Sequence, residues 1–532
     1  MVEADSRLPV VPVLSKTITR RRMMQGSVAA AALTSIGLHE RAFAQDATPA
    51  ASPDVSDDDL VAGLPDFVDA TMKAYQVPGV AVTLVRNGET LFEQGFGVRE
   101  LGGNEPIDAD TQFQLASNSK PMTAAAIGAL VDAKKVTFDS IVADIVTNFQ
   151  MEDPYATRWC TIRDLLAHRS GFPAFYGDVL GRLGYDRPDV IGRLRFVETD
   201  GKFREHALYS NLGYFAAGEC LATTYGATWE SAMTDLLWNP LGMSRTNSMV
   251  EGYPADGNYA SNHAIIDGKN TPVEWDDSIE FGAAGGVIST AKDMGTWMKM
   301  LLASDMSAEY ALLSPETRAD IFADSMVAEV IFSETPPISP ATGFNYGLGW
   351  GIFRLNGHVV TEKGGALSGI RTVVNLIPDM GVGIAVMVNQ NLTMATEAIR
   401  AHVLEYYLGP GGPNTQEKIH SDWKQLIDSF TAAGAPVTPK DPSLSLDAYT
   451  GSYENELCGL VQVIASDNGE LRFEAGPARY TASFTPIGHD VFVLQFPGAT
   501  NLGENVTFTV DDQGTPTGLI TESMGAFARV KA

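Results

Sequence analysis

From Tyr449 onward the hydrophobic period is two. Leu471-Arg472-Phe473-Glu474, Val491-Phe492-Val493-Leu494 and Val506-Thr507-Phe508-Thr509-Val510 alternate, and turns such as Asp467-Asn468-Gly469 and Asp511-Asp512-Gln513-Gly514 separate them. About eight strand candidates lie between Tyr449 and Val530, none long enough to be stable as a lone hairpin. So many short antiparallel strands leave open edges unless the sheet closes. Residues 444–532 are therefore expected to form a small all-β barrel or half-barrel of up-and-down topology.

The rest of the chain reads differently. Leu60, Leu64, Phe67, Val68 and Met72 recur at helical spacing, and Val80–Val85 and Thr90–Phe92 then flank the turn Arg86-Asn87-Gly88, so a helix and a β-hairpin are expected. Residues from about 110 to 345 are mostly helical in pattern, with long Gly- and Pro-rich loops. Strands return at Gly349–Phe353, His358–Thr361, Arg371–Leu376 and Gly383–Val388, followed by a helix at Ala395–Tyr407. The expectation for 59–408 is an α/β domain: an antiparallel sheet flanked by helices, with an inserted helical subdomain. Residues 409–443, with Gly-Pro-Gly-Gly-Pro and one helix over Gln416–Phe430, read as a linker.

The N-terminus reads as an address. Arg20-Arg21-Arg22 precedes a small apolar run from Gly26 to Gly37, and Ala42-Phe43-Ala44 offers a small-residue cleavage site before Gln45. That run is well short of the roughly 20 residues a spanning helix needs, so no stable membrane anchor is expected. The paired arginines resemble a twin-arginine signal, giving a signal over 1–44, a flexible leader over 45–58, and a protein exported to the periplasm or beyond a bacterial cell. The formal charge, 37 basic against 65 acidic side chains or −28, would repel nucleic acid. Cys160, Cys220 and Cys458 are an odd set without close spacing, so neither a disulfide framework nor a zinc site is expected, and no metal or other cofactor.

Gly-x-Ser-x-Gly, His-Glu-x-x-His and the phosphate-loop motif are all missing. Ser117-Asn118-Ser119-Lys120 opens a helical run instead, and a Ser and a Lys three apart on a helix share a face within hydrogen-bond reach. Backbone N–H groups at a helix start favour a developing oxyanion. Pro121 would clash with the carbonyl of Ser117 in a regular helix, so a kink or a 3₁₀ first turn is expected. Ser-x-x-Lys recurs at Ser289–Lys292 and Ser421–Lys424, and Tyr-x-Asn occurs at both Tyr209–Asn211 and Tyr453–Asn455. Ser289 and Thr290 read as a helix N-cap and Ser421 as an exposed helix position. Lys-x-Gly occurs once, at Lys363-Gly364-Gly365, and only Ser117, Tyr209 and Lys363 give the three motifs in sequence.

With Leu165–Pro173, Tyr209–Tyr214, Pro240–Met243, Ala284–Thr290 and Tyr346–Trp350, residues 60 to 408 resemble the serine β-lactamase and penicillin-binding protein superfamily. The likeness is to its class C, D,D-peptidase and esterase branch. The resemblance implies Ser117 as the acylated nucleophile and Lys120 with Tyr209 as the proton-transfer pair. Lys363 would hold the tyrosine and the substrate carboxylate. Asn211, Gly364 and Gly365 would be substrate-binding positions, and the N–H groups of Ser117 and Ala366 the oxyanion hole. A phenol of reference pKa about 10 is a poor base unless cations favour its phenolate, which two lysines would supply. His168 and Trp350 read as structural. Gly364 stands where penicillin-recognising members carry Thr or Ser, and the C-terminal barrel resembles the lipocalin-like domain of peptidase and esterase relatives. The expected activity is cleavage of amide or ester bonds in small molecules or short peptides, such as D-amino acid peptides from cell-wall material. The alternatives are a β-lactamase and a catalytically idle scaffold.

Overall fold

The computed structural model describes residues 56–199, 203–249, 252–266, 268–275, 282–303, 312–328, 341–433, 438–466, 469–496 and 503–531. The expected signal and all of the leader up to residue 55 lie outside them, as do linker residues 434–437 and the turn residues Asp467 and Asn468. The helices that carry the argument are α1 (Asp57–Tyr75), α2 (Ser119–Asp132), α3 (Asn211–Tyr225), α4 (Ala395–Leu408) and α5 (Thr415–Ala433).

Strands β1 (Gly79–Arg86) and β2 (Glu89–Gly97) form the expected hairpin around Asn87-Gly88, both at positive φ (49° and 83°), which suits a tight two-residue turn. Six more strands complete one sheet: β3 (Met326–Val327), β4 (Thr342–Tyr346), β5 (Gly351–Leu355), β6 (His358–Leu367), β7 (Ile370–Ile377) and β8 (Val382–Val388). The order is β2-β1-β8-β7-β6-β5-β4-β3, antiparallel throughout. The two ends of the domain thus meet at β1 and β8, Val80 opposite Val388. Side chains of β1 alternate between two cores. Val80, Val82 and Leu84 pack with Leu60, Leu64 and Val68 of α1 and Ile399 and Val403 of α4, while Ala81 and Val85 face the helical side with Met387 and Trp297. With both faces covered, β1 is apolar from Val80 to Val85 except at Thr83, and each fully buried Val or Leu contributes about 1.5–3 kcal/mol. Helix α2 is buried without interruption from Ser119 to Gly128, a core helix rather than an amphipathic surface one.

The C-terminal strands close as expected. β9 (Gly451–Asn455), β10 (Gly459–Ala465), β11 (Leu471–Ala475), β12 (Tyr480–Gly488), β13 (Val491–Gln495), β14 (Glu504–Val510), β15 (Pro516–Thr521) and β16 (Gly525–Arg529) pair in sequence order, and β16 returns to β9 at Arg529 and Tyr453. Tyr449, Tyr453, Phe473, Phe484, Phe492 and Phe508 fill the interior with ring centroids 4.9 to 6.2 Å apart. The barrel is seated on the α/β domain. Tyr185 Oη donates to Cys458 O at 2.8 Å, Arg193 Nη1 to Leu457 O at 2.7 Å, Ala478 N to Leu183 O at 3.0 Å and Gly177 N to Ser523 O at 3.0 Å. Leu183 and Tyr185 belong to one apolar core with the barrel interior. Cys160, Cys220 and Cys458 are buried and free. Among the described residues no helix is long and apolar enough to cross a membrane.

Candidate active site

Residues 116–118 form a 3₁₀ turn that hands over to α2 at Ser119, the distortion Pro121 demands. Ala116 sits at φ 50°, a strained position for a residue with a Cβ, directly before the candidate nucleophile. The turn is pinned from three sides. Ser119 Oγ donates to Ala116 O and accepts from Val287 N, Leu115 N bonds Val287 O, and Thr372 Oγ1 of β7 donates to Leu115 O at 2.9 Å while accepting from Asn118 Nδ2 at 2.9 Å. Ser117 is the one partly exposed residue in the buried stretch 111–120.

Ser117 Oγ lies 2.7 Å from Tyr209 Oη and 3.0 Å from Lys120 Nζ. Lys120, fully buried, also donates to Asn211 Oδ1 at 2.8 Å and Ala284 O at 2.7 Å. Lys363, in the middle of β6 and 3% exposed, donates to Tyr346 Oη at 3.3 Å. The ammonium groups of Lys120 and Lys363 stand 4.8 and 4.7 Å from the centroid of the Tyr209 ring. Gly364 and Gly365 are buried in β6, and a Cβ on Gly365 would overlap Leu115 O and Thr372 Oγ1, so only glycine lets this strand reach the 3₁₀ turn. Ala366 is exposed on the same strand. Ser117 from the 3₁₀ turn, Lys120 from α2, Tyr209 and Asn211 from the entry to α3 and Lys363 from β6 therefore converge.

The decoy motifs stay apart. Ser289 Oγ shares a hydrogen bond with Thr246 Oγ1, Thr290 caps the Ala291–Leu302 helix, Lys292 pairs with Asp110 and Ser421 is exposed on α5. Tyr453 lies in the barrel interior and bonds Tyr449 O.

Three residues that pattern reading passed over complete the site. Asp178 Oδ2 accepts from Asn211 Nδ2 at 2.7 Å, and burial pushes its carboxyl up to about 6, against the favourable bond from Asn211 and the charge of Lys120. Tyr346, part of the Tyr346–Trp350 likeness, accepts from Lys363 through its hydroxyl. Phe175, at φ 58°, has its ring 5.9 Å from that of Tyr209. His168 has the structural place expected of it. Its Nδ1 accepts from Ser210 N at 3.2 Å, its ring packs on Tyr209, Tyr214 and Tyr346, and burial with the nearby lysines holds it far below the usual imidazole range. The turn carrying it is fixed by the fully buried Asp164, which takes Arg169 at 2.6 Å and Arg204 at 2.7 Å.

The Beta-lactamase family profile matches residues 64–407, and a profile described as a domain of unknown function, DUF3471, matches 435–529. The chain is similar to unguisins hydrolase ungD of Aspergillus violaceofuscus, 26% identical over 459 residues that cover 79% of this chain and 80% of that one. It is similar to penicillin-binding protein 4 of Amycolatopsis lactamdurans, 27% identical over 325 residues, 60% of this chain and 83% of that one. The octameric penicillin-binding protein homologue from Pyrococcus abyssi shares the fold at TM-score 0.57 and 20% identity, over 88% of this chain and 100% of that one.

Proposed function

The chain belongs to the Beta-lactamase family, and on that premise we propose that it is an exported serine hydrolase that cleaves amide or ester bonds of small substrates through an acyl-enzyme on Ser117. The observation that carries this reading is the Ser117 hydroxyl held between Tyr209 Oη at 2.7 Å and Lys120 Nζ at 3.0 Å. Ser117 Oγ attacks the substrate carbonyl carbon and its proton passes to the Tyr209–Lys120 pair. The two ammonium groups flanking the phenol favour the charge state in which its oxygen accepts that proton. The carbonyl oxygen turns to the N–H groups of Ser117 and Ala366 as charge develops on it. The same pair then protonates the leaving amine or alcohol, and water attacks the acyl-serine with the proton traffic reversed.

Gly364 offers no hydroxyl to a substrate carboxylate, which favours peptides and esters over lactams. The substrate class proposed is short peptides containing D-amino acids, of D,D-carboxypeptidase, D-aminopeptidase or esterase type. Incubating the protein with D-alanyl-D-alanine peptides, their N-terminal D-amino-acid amides, an activated short-chain ester and a penicillin tests this. The reading expects turnover of a peptide, amide or ester and slow release of any penicilloyl adduct. Fast penicillin turnover with no peptide or ester cleavage would overturn it in favour of a β-lactamase. Export is tested by the N-terminus of the protein recovered outside the cytoplasm, expected at Gln45.

A further inference from the structure

The barrel turn between β15 and β16 is linked to the candidate site by hydrogen bonds on either side of the covalent Gly177-Asp178 step. Glu504, the first residue of β14, is 6% exposed, and its two carboxylate oxygens accept three donors from that turn: Glu522 N at 3.0 Å, Ser523 N at 2.8 Å and Ser523 Oγ at 2.8 Å. Met524 N bonds Thr521 Oγ1 at 2.9 Å, and Asn455 Nδ2 of β9 holds Met524 O at 2.8 Å. With both donors of Ser523 engaged inside the barrel, its carbonyl accepts from Gly177 N at 3.0 Å across the domain boundary. The next residue, Asp178, accepts from Asn211, Asn211 accepts from Lys120, and Lys120 donates to Ser117, at 2.7, 2.8 and 3.0 Å.

Packing follows the same route. A Cβ on Gly525 would overlap Tyr176 Oη, so the turn lies flush against the segment 175–178. That segment presents Phe175 and Asp178 to the catalytic groups, and Tyr176 and Gly177 to the barrel. A carboxylate is costly to bury, and burial raises the pKa of Glu504. Its three bonds to one turn give it the geometry of a clamp on that turn.

We propose that the 521–525 turn of the barrel is a working part of the acylation site: Glu504 and Ser523 are positioning residues that, through Gly177 and Asp178, set the orientation of Asn211 and Lys120. The inference rests on the Ser117 reading given above. It assigns the C-terminal barrel a part in the chemistry, acting through the wall it buttresses.

The test uses the full-length protein and Glu504→Gln, which keeps the shape but offers one acceptor oxygen where the carboxylate offers two. kcat/KM for the activated ester is expected to fall about tenfold, mostly in kcat, because reacting groups displaced by a fraction of an ångström lose alignment. Amide exchange should accelerate at 176–178 and 521–525 while β11–β13 exchange as in the parent. A lower melting temperature with kcat and KM unchanged below the transition would show a structural role alone and overturn the proposal. Should Glu504→Gln not fold, Ser523→Ala removes only the hydroxyl bond and is expected to give a smaller loss of the same kind, with the same contrary result. Acylation of Ser117 is expected to alter exchange at 521–525 in return. If Ser117→Ala retains full activity, the acyl-enzyme reading fails by itself, and exchange at 176–178 in the Glu504 variant still reads whether the barrel holds that wall.

Discussion

The Tyr209 hydroxyl is 2.7 Å from the nucleophile and carries the proton in the proposed step. Tyr209→Phe should lower kcat by about 10²- to 10⁴-fold with the melting temperature almost unchanged, as steady-state kinetics beside thermal melts would show. Asp178 makes a second residue-scale prediction. Burial holds its folded-state carboxyl at about 6 against an ordinary 3.8. The folded protein therefore binds this proton more tightly than the unfolded chain, so the stabilisation is complete below about pH 3.8 and is lost as pH rises through about 6. Asp178→Asn cannot ionise and should be more stable than the parent at pH 8, by up to about 3 kcal/mol, with no gain at pH 4. Equal melting shifts at the two pH values would contradict this. Ser117, Lys120, Tyr209, Asn211 and Lys363 could be picked out of the sequence because Ser-x-x-Lys, Tyr-x-Asn and Lys-x-Gly follow one another in that order only through these positions. Asp178 could not, since an aspartate in a loop carries no pattern, and its meaning comes from a contact with Asn211 that only the folded chain makes.

At the scale of elements, β6 and β7 are tied to α4 by buried ion pairs, Arg400 with Glu362 at 3.2 Å and Arg371 with Glu397 at 2.8 Å. Glu362 precedes Lys363 in β6, so the pair that fastens the strand sits next to the lysine that faces Tyr209. Truncating one partner of a buried pair takes that bond from a charge that stays buried, so Glu362→Ala should cost about 3–5 kcal/mol, read from the denaturant midpoint. Six strands of this sheet were legible in the sequence, and the 3₁₀ start before α2 followed from one proline, whereas β3 (Met326–Val327) and β4 (Thr342–Tyr346) fall in the stretch read as mostly helical, being short and without an apolar run. The strand order was not legible, because the pairing of β1 with β8 depends on the closure of some 300 intervening residues rather than on local pattern.

Across the whole molecule, hydrolase domain and barrel share one apolar core through Leu183 and Tyr185. They should therefore unfold in one calorimetric transition. Tyr453→Ala, which empties a fully buried position inside the barrel, should lower that transition by about 3–5 kcal/mol of stability and take the activity down with it on heating. A separate barrel transition with activity retained above it would contradict the shared core. Closure of the barrel was readable from period two, whereas its seat on residues 177–193 was not, since main-chain bonds such as Gly177 to Ser523 leave no trace in side-chain pattern. The intact chain is also where the central claim is read most directly. Intact-mass spectrometry after exposure to an activated ester and a penicillin, followed by peptide mapping, should give one acyl adduct on Ser117 that is absent from Ser117→Ala. An adduct elsewhere, or turnover that survives in Ser117→Ala, would contradict the account.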